Sequence, residues 1–500
     1  MRRVIEPQMK LGEQAIADIK LDPKSRDDIP QILRGLQHIY TTPELREPIF
    51  TILEEVLPER QIEGKTIKAD PNNGRPGMTQ WQILVLGVLR LGLNADYDRI
   101  HELANEHKTL RKMLGHSDWA DDKYYNLQTL KDNLRLFTPE ILDRLNRVVV
   151  QAGHKGIKKK LEDGTVGRCD SFVVETDVHF PTDINLLLDA IRKVIEISAE
   201  LSRANNLPGW RQYRYHQRLF KRQYRIVQRL KHSTSKSESK RKQKEQEIQD
   251  AHRTYLDLAE GNLTRADQTR QQISPHDPLL MIWLIELNKF MQHGRRQINQ
   301  IDRRVLQGKR IPHDEKVFSL FQPHTEWISK GKAGVPVELG LRVCVMEDRD
   351  RFILHHRVMV KTTDDKVAFA MVGETKQKFP TLRAVSMDKG FYSPANQEVL
   401  KSRLDCVVLP KKGRLSQADK VRESGPEFVS LRKQHSAVES AINALEVHGL
   451  DKCLDHGLNG FKRYVAMAVV ARNIQRLGAV LRQQDQEATE RKRGSYKRAA

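Results

Sequence analysis

A chain of 500 residues is too long for a single hydrophobic core, so we expect about three structural units. Its net charge of +21 predicts a polyanionic partner, with nucleic acid favoured over an anionic membrane surface. No apolar run approaches the ~20 residues of a membrane span, and the four cysteines form no CxxC pair, which argues against a zinc knuckle and a disulfide framework.

The first 160 residues are predicted to be mainly helical. Apolar spacing within Gln31–Val56 predicts helix in an N-terminal region, residues 1–76, which ends in a turn-forming segment. Residues 77–160 are predicted to form a small helical domain that opens with a helix over Gln80–Leu93, capped by Thr79. Short helices joined by short turns are typical of a helix-turn-helix DNA-binding domain, and equally of any helical bundle.

A strand is predicted over Val166–Phe180, which is rich in β-branched and apolar residues. It carries Asp170 in its middle, where a carboxylate is costly to desolvate. Asp170 is therefore either a hydrogen-bonded or paired acid, or a metal ligand. The far end of the strand is either a polar strand end or a second metal cluster, formed by Glu175, Asp177 and His179.

A large helical insertion is predicted over residues 184–335. Between Arg211 and Lys244 it contains thirteen Lys or Arg residues and one acid, with aromatic residues interleaved. Cations that neutralise phosphates, mixed with rings that stack on bases, indicate nucleic-acid binding, and the alternative is a solvated helix face. Trp327 either stacks on a flipped base or anchors a loop. The predicted DNA contacts are Arg211, Arg214, Arg218, Lys221, Arg222, Arg225, Trp327, Lys330 and Lys332.

From residue 336 the pattern becomes mixed α/β. The predicted elements are a hairpin of Leu341–Met346 and Phe352–Val360, a helix over Asp365–Lys376 capped by Asp364, a strand over Leu382–Met387, a helix over Pro394–Ser402, a strand over Asp405–Leu409, and helices over Gln434–Val447 and Phe461–Leu481. With the strand that carries Asp170, this is the element order of an RNase H-like mixed sheet flanked by helices. The predicted catalytic domain therefore comprises residues 161–183 and 336–482, and a charged, disordered tail is predicted over 483–500.

Three carboxylates occupy positions that favour one metal site. Asp388 stands at the carboxyl end of its strand, where ligand sites form in open α/β sheets. Glu439 lies at the edge of an apolar helical stripe and can point toward the sheet. With Asp170 they offer only oxygen ligands, which suit two Mg²⁺ or Mn²⁺ ions. Asp177, seven residues beyond Asp170 and on the opposite face of an unbroken strand, is not expected to share that site.

The sequence resembles the DDE transposases of bacterial insertion sequences, and among them the ISNCY group. The matching segments are DSFVVETDVHFPTD (170–183), EKVFSLFQPHTEWISKGKAG (315–334), ELGLRVCVMEDRDRFILHHRVM (338–359), MDKGFYS (387–393), HSAVESAINALEVHGLDKC (435–453) and GFKRYVAMAVVARNIQRLG (460–478). The resemblance implies that Asp170, Asp388 and Glu439 are the catalytic triad. It also implies cleavage at the element ends and transfer of the freed 3′-hydroxyl to target DNA. His435, one helical turn before Glu439, is expected to orient it.

The expected partner is double-stranded DNA, namely the terminal inverted repeats and the target, on which the chain assembles as a homodimer. No membrane partner is expected. The basic N-terminus lacks the apolar segment of a secretory signal, so we expect a protein of the bacterial cytoplasm that associates with the nucleoid. Two alternatives stay open: a DNA-binding protein that no longer cuts DNA, and an RNase H-like nuclease that hydrolyses DNA without strand transfer.

Overall fold

The structure is a computed structural model that describes residues 2–6, 8–9, 12–62, 65–73, 77–117, 123–157, 164–274, 277–329 and 336–499. The chain divides into two compact units, one formed by Met1–Asp177 with Ile328–Ala500 and the other by Val178–Trp327. Each unit has its own main hydrophobic core.

The helices are numbered along the whole chain. They are α1 (Asp28–Thr41), α2 (Pro43–Leu53), α3 (Gln80–Gly92), α4 (Tyr97–Glu106), α5 (Lys108–Met113), α6 (Leu127–Leu134), α7 (Pro139–Gly156), α8 (Asp183–Ala204), α9 (Tyr213–Arg229), α10 (Glu238–Gln271), α11 (Pro278–Ile301), α12 (Asp364–Lys378), α13 (Pro394–Lys401), α14 (Gln417–Ser424), α15 (Pro426–His435), α16 (Ala437–Leu445) and α17 (Gly457–Ala499). Within the described residues, no helix combines the length and apolar composition needed to cross a membrane.

The strands are numbered in the same way. They are β1 (Glu59–Ile62), β2 (Lys65–Lys68), β3 (Thr165–Thr176), β4 (Glu326–Ser329), β5 (Val337–Asp348), β6 (Ile353–Met359), β7 (Leu382–Met387), β8 (Cys406–Val408) and β9 (Lys452–Cys453). The first two form a separate hairpin.

The main sheet is built around β3, in the order β4-β5-β3-β7-β8, and β6 also pairs with β5. β5 pairs antiparallel with both β3 and β6, whereas β7 pairs parallel with both β3 and β8. The short β9 continues in parallel beside the far end of β3. The predicted α/β class, a mixed sheet flanked by helices, is confirmed.

The N-terminal helices share one core with this sheet. Every residue of α3 is buried, so this helix is a core element along its whole length. A buried amide pair connects α7, α17 and β6: Asn473 accepts a hydrogen bond from the Ile353 N–H at 2.9 Å and donates to Asn146 at 2.6 Å. The predicted regions 1–76 and 77–160 therefore belong to the same compact unit as the sheet.

Two predicted features of the C-terminal region were wrong. The single helix expected over Gln434–Val447 is divided into α15 and α16, with Ser436 between them. The tail expected to be disordered after residue 483 instead continues α17, because its Glu, Arg, Lys and Ala residues favour helix. An ion pair of 2.8 Å between Arg34 and Asp485 ties this extension to α1.

The second unit is built from the helices α8 to α11 and corresponds to the helical insertion predicted over residues 184–335. Its core is formed by apolar side chains from all four helices, among them Leu187, Ile191, Phe220, Tyr255 and Phe290. The Phe220 and Tyr255 rings stack with centroids 4.6 Å apart.

Candidate active site

The parallel pairing of β3 and β7 brings two of the predicted carboxylates to one edge of the sheet. Cys169 pairs with Met387, so Asp170 and Asp388, the next residues along the two strands, are adjacent. The strand β7 ends just before Asp388. The Asp388 side chain caps the short 3₁₀ turn that follows and accepts a hydrogen bond from the Gly390 N–H at 2.8 Å. The cap fixes this carboxylate at the strand end.

Glu439 approaches the same edge from the first turn of α16. The helix packs through one apolar stripe, and Glu439 stands beside that stripe with its side chain exposed. The buried residues of the stripe are Val438, Ala441 and Leu445.

The electrostatics of Asp170 show that these acids act on one another. The pKa of Asp170 is raised to about 6, mainly by burial and additionally by the negative charges of Asp388, Asp364 and Glu439. The hydrogen bond from the Ser171 N–H to the Asp170 carboxylate, 2.7 Å long, opposes the increase. Asp388 and Glu439 therefore both lie near enough to Asp170 to act on its charge.

Asp364 is a fourth carboxylate that the sequence analysis treated only as a helix cap. It is the first residue of α12, after the N-cap residue Thr363. The Ser171 hydroxyl donates to the Asp364 carboxylate at 2.6 Å. A Cβ added to Gly390 would lie 2.8 Å from Asp388 Oδ1 and 3.3 Å from Asp364 Oδ2, so both carboxylates adjoin this glycine. We call Asp170, Asp364, Asp388 and Glu439 the acidic cluster.

The donor set of the acidic cluster fits a hard divalent cation. It offers only carboxylate oxygens, which Mg²⁺ and Mn²⁺ prefer. Asp388 and Glu439 are exposed and Asp170 is half-buried, so water and a large substrate can reach them. A bound cation would offset the mutual repulsion that raises the pKa of Asp170.

A tighter group of possible ligands lies elsewhere in the same unit. Among the described residues, only His154, Asp348 and Asp350 bring three ligand atoms within 4.8 Å of one another. The Asp348 carboxylate already accepts hydrogen bonds from the Phe352 N–H at 3.0 Å and from His154 at 2.5 Å. These contacts suit a buried structural pair, and the acidic cluster is the more open arrangement.

His435 lies next to the acidic cluster but outside its helix. It is the last residue of α15, and its Nδ1 is 3.1 Å from the Ser386 hydroxyl, next to the carboxyl end of β7. Burial lowers the pKa of His435, although the charges of Asp388 and Glu439 act to raise it. The His435 side chain therefore contacts the sheet at the end of β7.

The other polar residues predicted near this strand have partners of their own. Asp177, one residue beyond β3, forms an ion pair of 2.7 Å with Lys452. In the second unit, His179 Nε2 lies 2.7 Å from the Asp189 carboxylate. Glu175 is half-buried within β3. These pairings favour the polar strand end over a metal cluster.

The second unit carries a one-sided set of cations on and just before α9. All six predicted arginine and lysine residues are exposed, and among the described residues none has a carboxylate within 4.0 Å. Three of them line a groove of about 780 Å³ between α8 and α9. We call these six residues the basic face: Arg211, Arg214, Arg218, Lys221, Arg222 and Arg225.

Most aromatic residues of this run face the core of the second unit and not the surface that carries the basic face. Phe220 is buried, and Tyr213 and Tyr224 pack against the core, so they are not available to stack on bases. Of the four aromatic residues interleaved in this run, Tyr213, Tyr215, Phe220 and Tyr224, only Tyr215 is exposed. The expectation of an interleaved stacking surface was therefore wrong for three of the four residues.

Trp327 is half-buried and contacts two rings of its own unit. Its centroid lies 5.6 Å from that of Phe180 and 5.7 Å from that of Phe318. This environment favours the loop anchor. The predicted contacts Lys330 and Lys332 lie outside the described residues.

Comparison of the chain with protein-family models, with curated proteins and with solved structures found no match.

Proposed function

We propose that this chain is a DDE transposase of an insertion sequence, which cleaves DNA at the element ends and transfers the freed 3′-hydroxyl to target DNA. The observation that carries the proposal is the convergence of Asp170, Asp388 and Glu439, from two strands and a helix far apart in sequence, at one edge of the sheet. The resemblance to DDE transposases implies the same three residues as the catalytic triad.

The strand order supports an RNase H-like fold for the catalytic domain. With the short strands β4 and β9 left aside, the five main strands, numbered along the chain, run third, second, first, fourth, fifth across the sheet. Along the chain, each of the first three strands runs antiparallel to the one before it, and the fourth and fifth run parallel to the first. This is what the predicted element order requires. Fold alone does not establish chemistry, which depends on the acidic cluster.

The chemistry follows from what the carboxylates can hold. Two Mg²⁺ or Mn²⁺ ions, when bound, supply positive charge to the attacking and leaving oxygens of a phosphodiester. Asp170, Asp388 and Glu439 would hold them, and Asp364 would add negative charge nearby. The Gly390 N–H fixes Asp388, and the Ser171 N–H fixes Asp170, so both carboxylates are oriented before substrate arrives.

The basic face supports DNA as the substrate. Six exposed cations that have no acidic partner within the described residues suit phosphate contacts, which position DNA without specifying its sequence. Binding of this kind would keep the protein on the nucleoid, and two copies would be needed to hold two element ends.

The decisive experiment incubates the full chain with DNA that carries the inverted repeats flanking its gene. We expect cleaved ends and products joined to target DNA in Mg²⁺, neither product in EDTA, and neither with Asp388→Asn. Cleavage without joined products would favour the nuclease alternative. Binding without cleavage in either Mg²⁺ or Mn²⁺ would favour the non-catalytic alternative.

A further inference from the structure

The first two turns of α11 expose a continuous run of large apolar side chains. From residue 278 to 285 the helix carries no charged residue. The exposed fractions in this apolar patch are Leu279 66%, Met281 45%, Ile282 58%, Trp283 37% and Ile285 65%. Together they present on the order of 500 Å² of apolar surface, near the upper end of what a monomer ordinarily leaves uncovered.

The apolar patch is not the core face of the helix. The inward face of these turns is formed by Leu280 and Leu284, which pack against the core of the second unit. Further along α11, Leu287 and Phe290 continue that inward face and are buried. The first two turns are therefore apolar on both sides, a composition typical of a helix that is covered all round.

The composition of the apolar patch restricts what can cover it. Nucleic acid requires cations, and residues 278–285 contain none. A helix that lies on an anionic membrane surface carries Lys or Arg on its polar face, and these turns have no polar face. A protein surface of the same apolar character remains.

We infer that the apolar patch of α11 binds the same patch on a second copy of this chain. A twofold interface needs only one self-complementary surface, and an uncharged helical face meets itself without like-charge contacts. Two patches bury on the order of 1,000 Å² in total, at the lower limit of specific interfaces. The contact is accordingly a weak, reversible dimer, and it does not depend on the proposed activity.

The test measures the association of the full chain without DNA. Sedimentation equilibrium over about 1–100 µM compares the wild type with Ile282→Glu, and with Val421→Glu as the control. Val421, on α14, is 65% exposed in the other unit, so the control adds the same charge at a similarly exposed apolar site. We expect the wild type and V421E to dimerise alike, and I282E to dimerise at least about tenfold more weakly, because two carboxylates would then be buried face to face.

Four results would overturn the inference. The wild type could remain monomeric throughout, or I282E could dimerise as well as the wild type. I282E could lower the thermal unfolding midpoint much more than V421E does, which would show that Ile282 packs within its own chain. Finally, the wild type but not I282E could co-sediment with vesicles of phosphatidylcholine and phosphatidylserine, which would assign the patch to a membrane surface.

Discussion

Asp170 has an environment that would be unfavourable for an isolated acid. It lies in a strand, half-buried, and three other carboxylates raise its pKa beyond the effect of burial. Its direct hydrogen bond comes from a backbone N–H, which fixes the carboxylate without neutralising it. This is the arrangement expected of a cation ligand, because a bound cation would attract all of these carboxylates and so offset their repulsion.

Gly390 permits the close approach of two members of the acidic cluster. In Gly390→Ala the new Cβ would lie 2.8 Å from Asp388 Oδ1, so the carboxylate must move. We expect Mg²⁺-dependent cleavage to fall by about 10- to 100-fold, because small displacements of catalytic groups cost about this much. The unfolding free energy should change by less than about 1 kcal/mol.

The matched control is Gly373→Ala, within α12. Its added Cβ would meet only the Arg403 side chain at 3.5 Å, an ordinary contact. Cleavage by this variant should equal that of the wild type. Equal cleavage by both variants would show that the position of Asp388 does not matter to the reaction.

Glu347 provides a pH-dependent test of the packing beside the site. It is buried opposite Arg168 on β3, and burial raises its pKa to about 7 although Arg168 acts to lower it. Because the folded pKa exceeds the ordinary value, the contribution of Glu347 to stability is full below about pH 4.5 and is lost as the pH rises through 7. Relative to Glu347→Gln, the wild type should lose about 3 kcal/mol of unfolding free energy from pH 4.5 to 7.5.

Glu374 is the control, because its contribution to stability should change with pH in the opposite direction. Ion pairing with His355 and Arg357 lowers its pKa to about 2, so its contribution is present above about pH 4.5 and is lost as the pH falls. Denaturant unfolding at several pH values checks both residues. If Glu347→Gln follows the wild type at every pH, Glu347 is ionised at no cost in the folded state.

At the scale of elements, local chemistry predicted the strands of the sheet well. The bounds predicted for β7 match the structure, because a short, mostly apolar run is followed by an acid that caps the next turn. The break at Ser436 carries no glycine or proline, so nothing in the sequence predicts it. Asp364 was missed for a related reason: an acid at a helix start is ordinarily explained by capping alone.

The α9 helix shows where counting the helical period would have improved the prediction. Tyr213, Phe220, Tyr224 and Val227 recur at spacings of seven, four and three, which place them on one face. That face packs into the core, and the cations between these residues are exposed. The charge of the cations correctly predicted the exposed face of α9. The aromatic residues could be assigned to the buried face only from their helical periodicity.

The basic face should determine the salt dependence of DNA affinity. Replacing Arg218, Lys221, Arg222 and Arg225 with glutamine should flatten the slope of log affinity against log salt by up to about 3–4, since each phosphate contact contributes about 0.9. Fluorescence anisotropy with duplex DNA at several salt concentrations measures the slope.

The control replaces four cations of the same unit that already have acidic partners. These are Arg203, Lys242, Arg253 and Arg270. The control has the same net charge as the first variant, so a position-specific effect should leave its slope closer to that of the wild type. Equal slopes for the two variants would show that the basic face affects DNA binding only through its net charge.

At the scale of the whole molecule, helices from both ends of the chain pack onto the sheet's core. Two glycines allow α1 and α17 to approach closely: a Cβ on Gly478 would lie 2.0 Å from the Gln31 carbonyl oxygen, and one on Gly35 would lie 2.3 Å from the Ile474 carbonyl oxygen. The sequence predicted separate N-terminal regions. It did not predict their shared core with the sheet, because contacts between residues more than 400 positions apart leave no local signal.

Gly478→Ala should lower the unfolding free energy by about 1–3 kcal/mol, because backbone cannot move aside as a side chain can. Gly261→Ala is the control, since Gly261 lies inside α10 with nothing within 4 Å of an added Cβ. It should raise the unfolding free energy by about 0.5–1 kcal/mol through helix propensity. Chemical denaturation measures both, and a stabilising Gly478→Ala would refute the close α1–α17 packing.

Calorimetric titration of the full chain with Mn²⁺, in the absence of DNA, tests directly whether the acidic cluster holds a divalent cation. The wild type should bind Mn²⁺, Asp388→Asn should lose most of the binding, and His154→Gln, in the tighter His154–Asp348–Asp350 group, should retain it. Binding that survives Asp388→Asn, or that is lost with His154→Gln, would contradict the account.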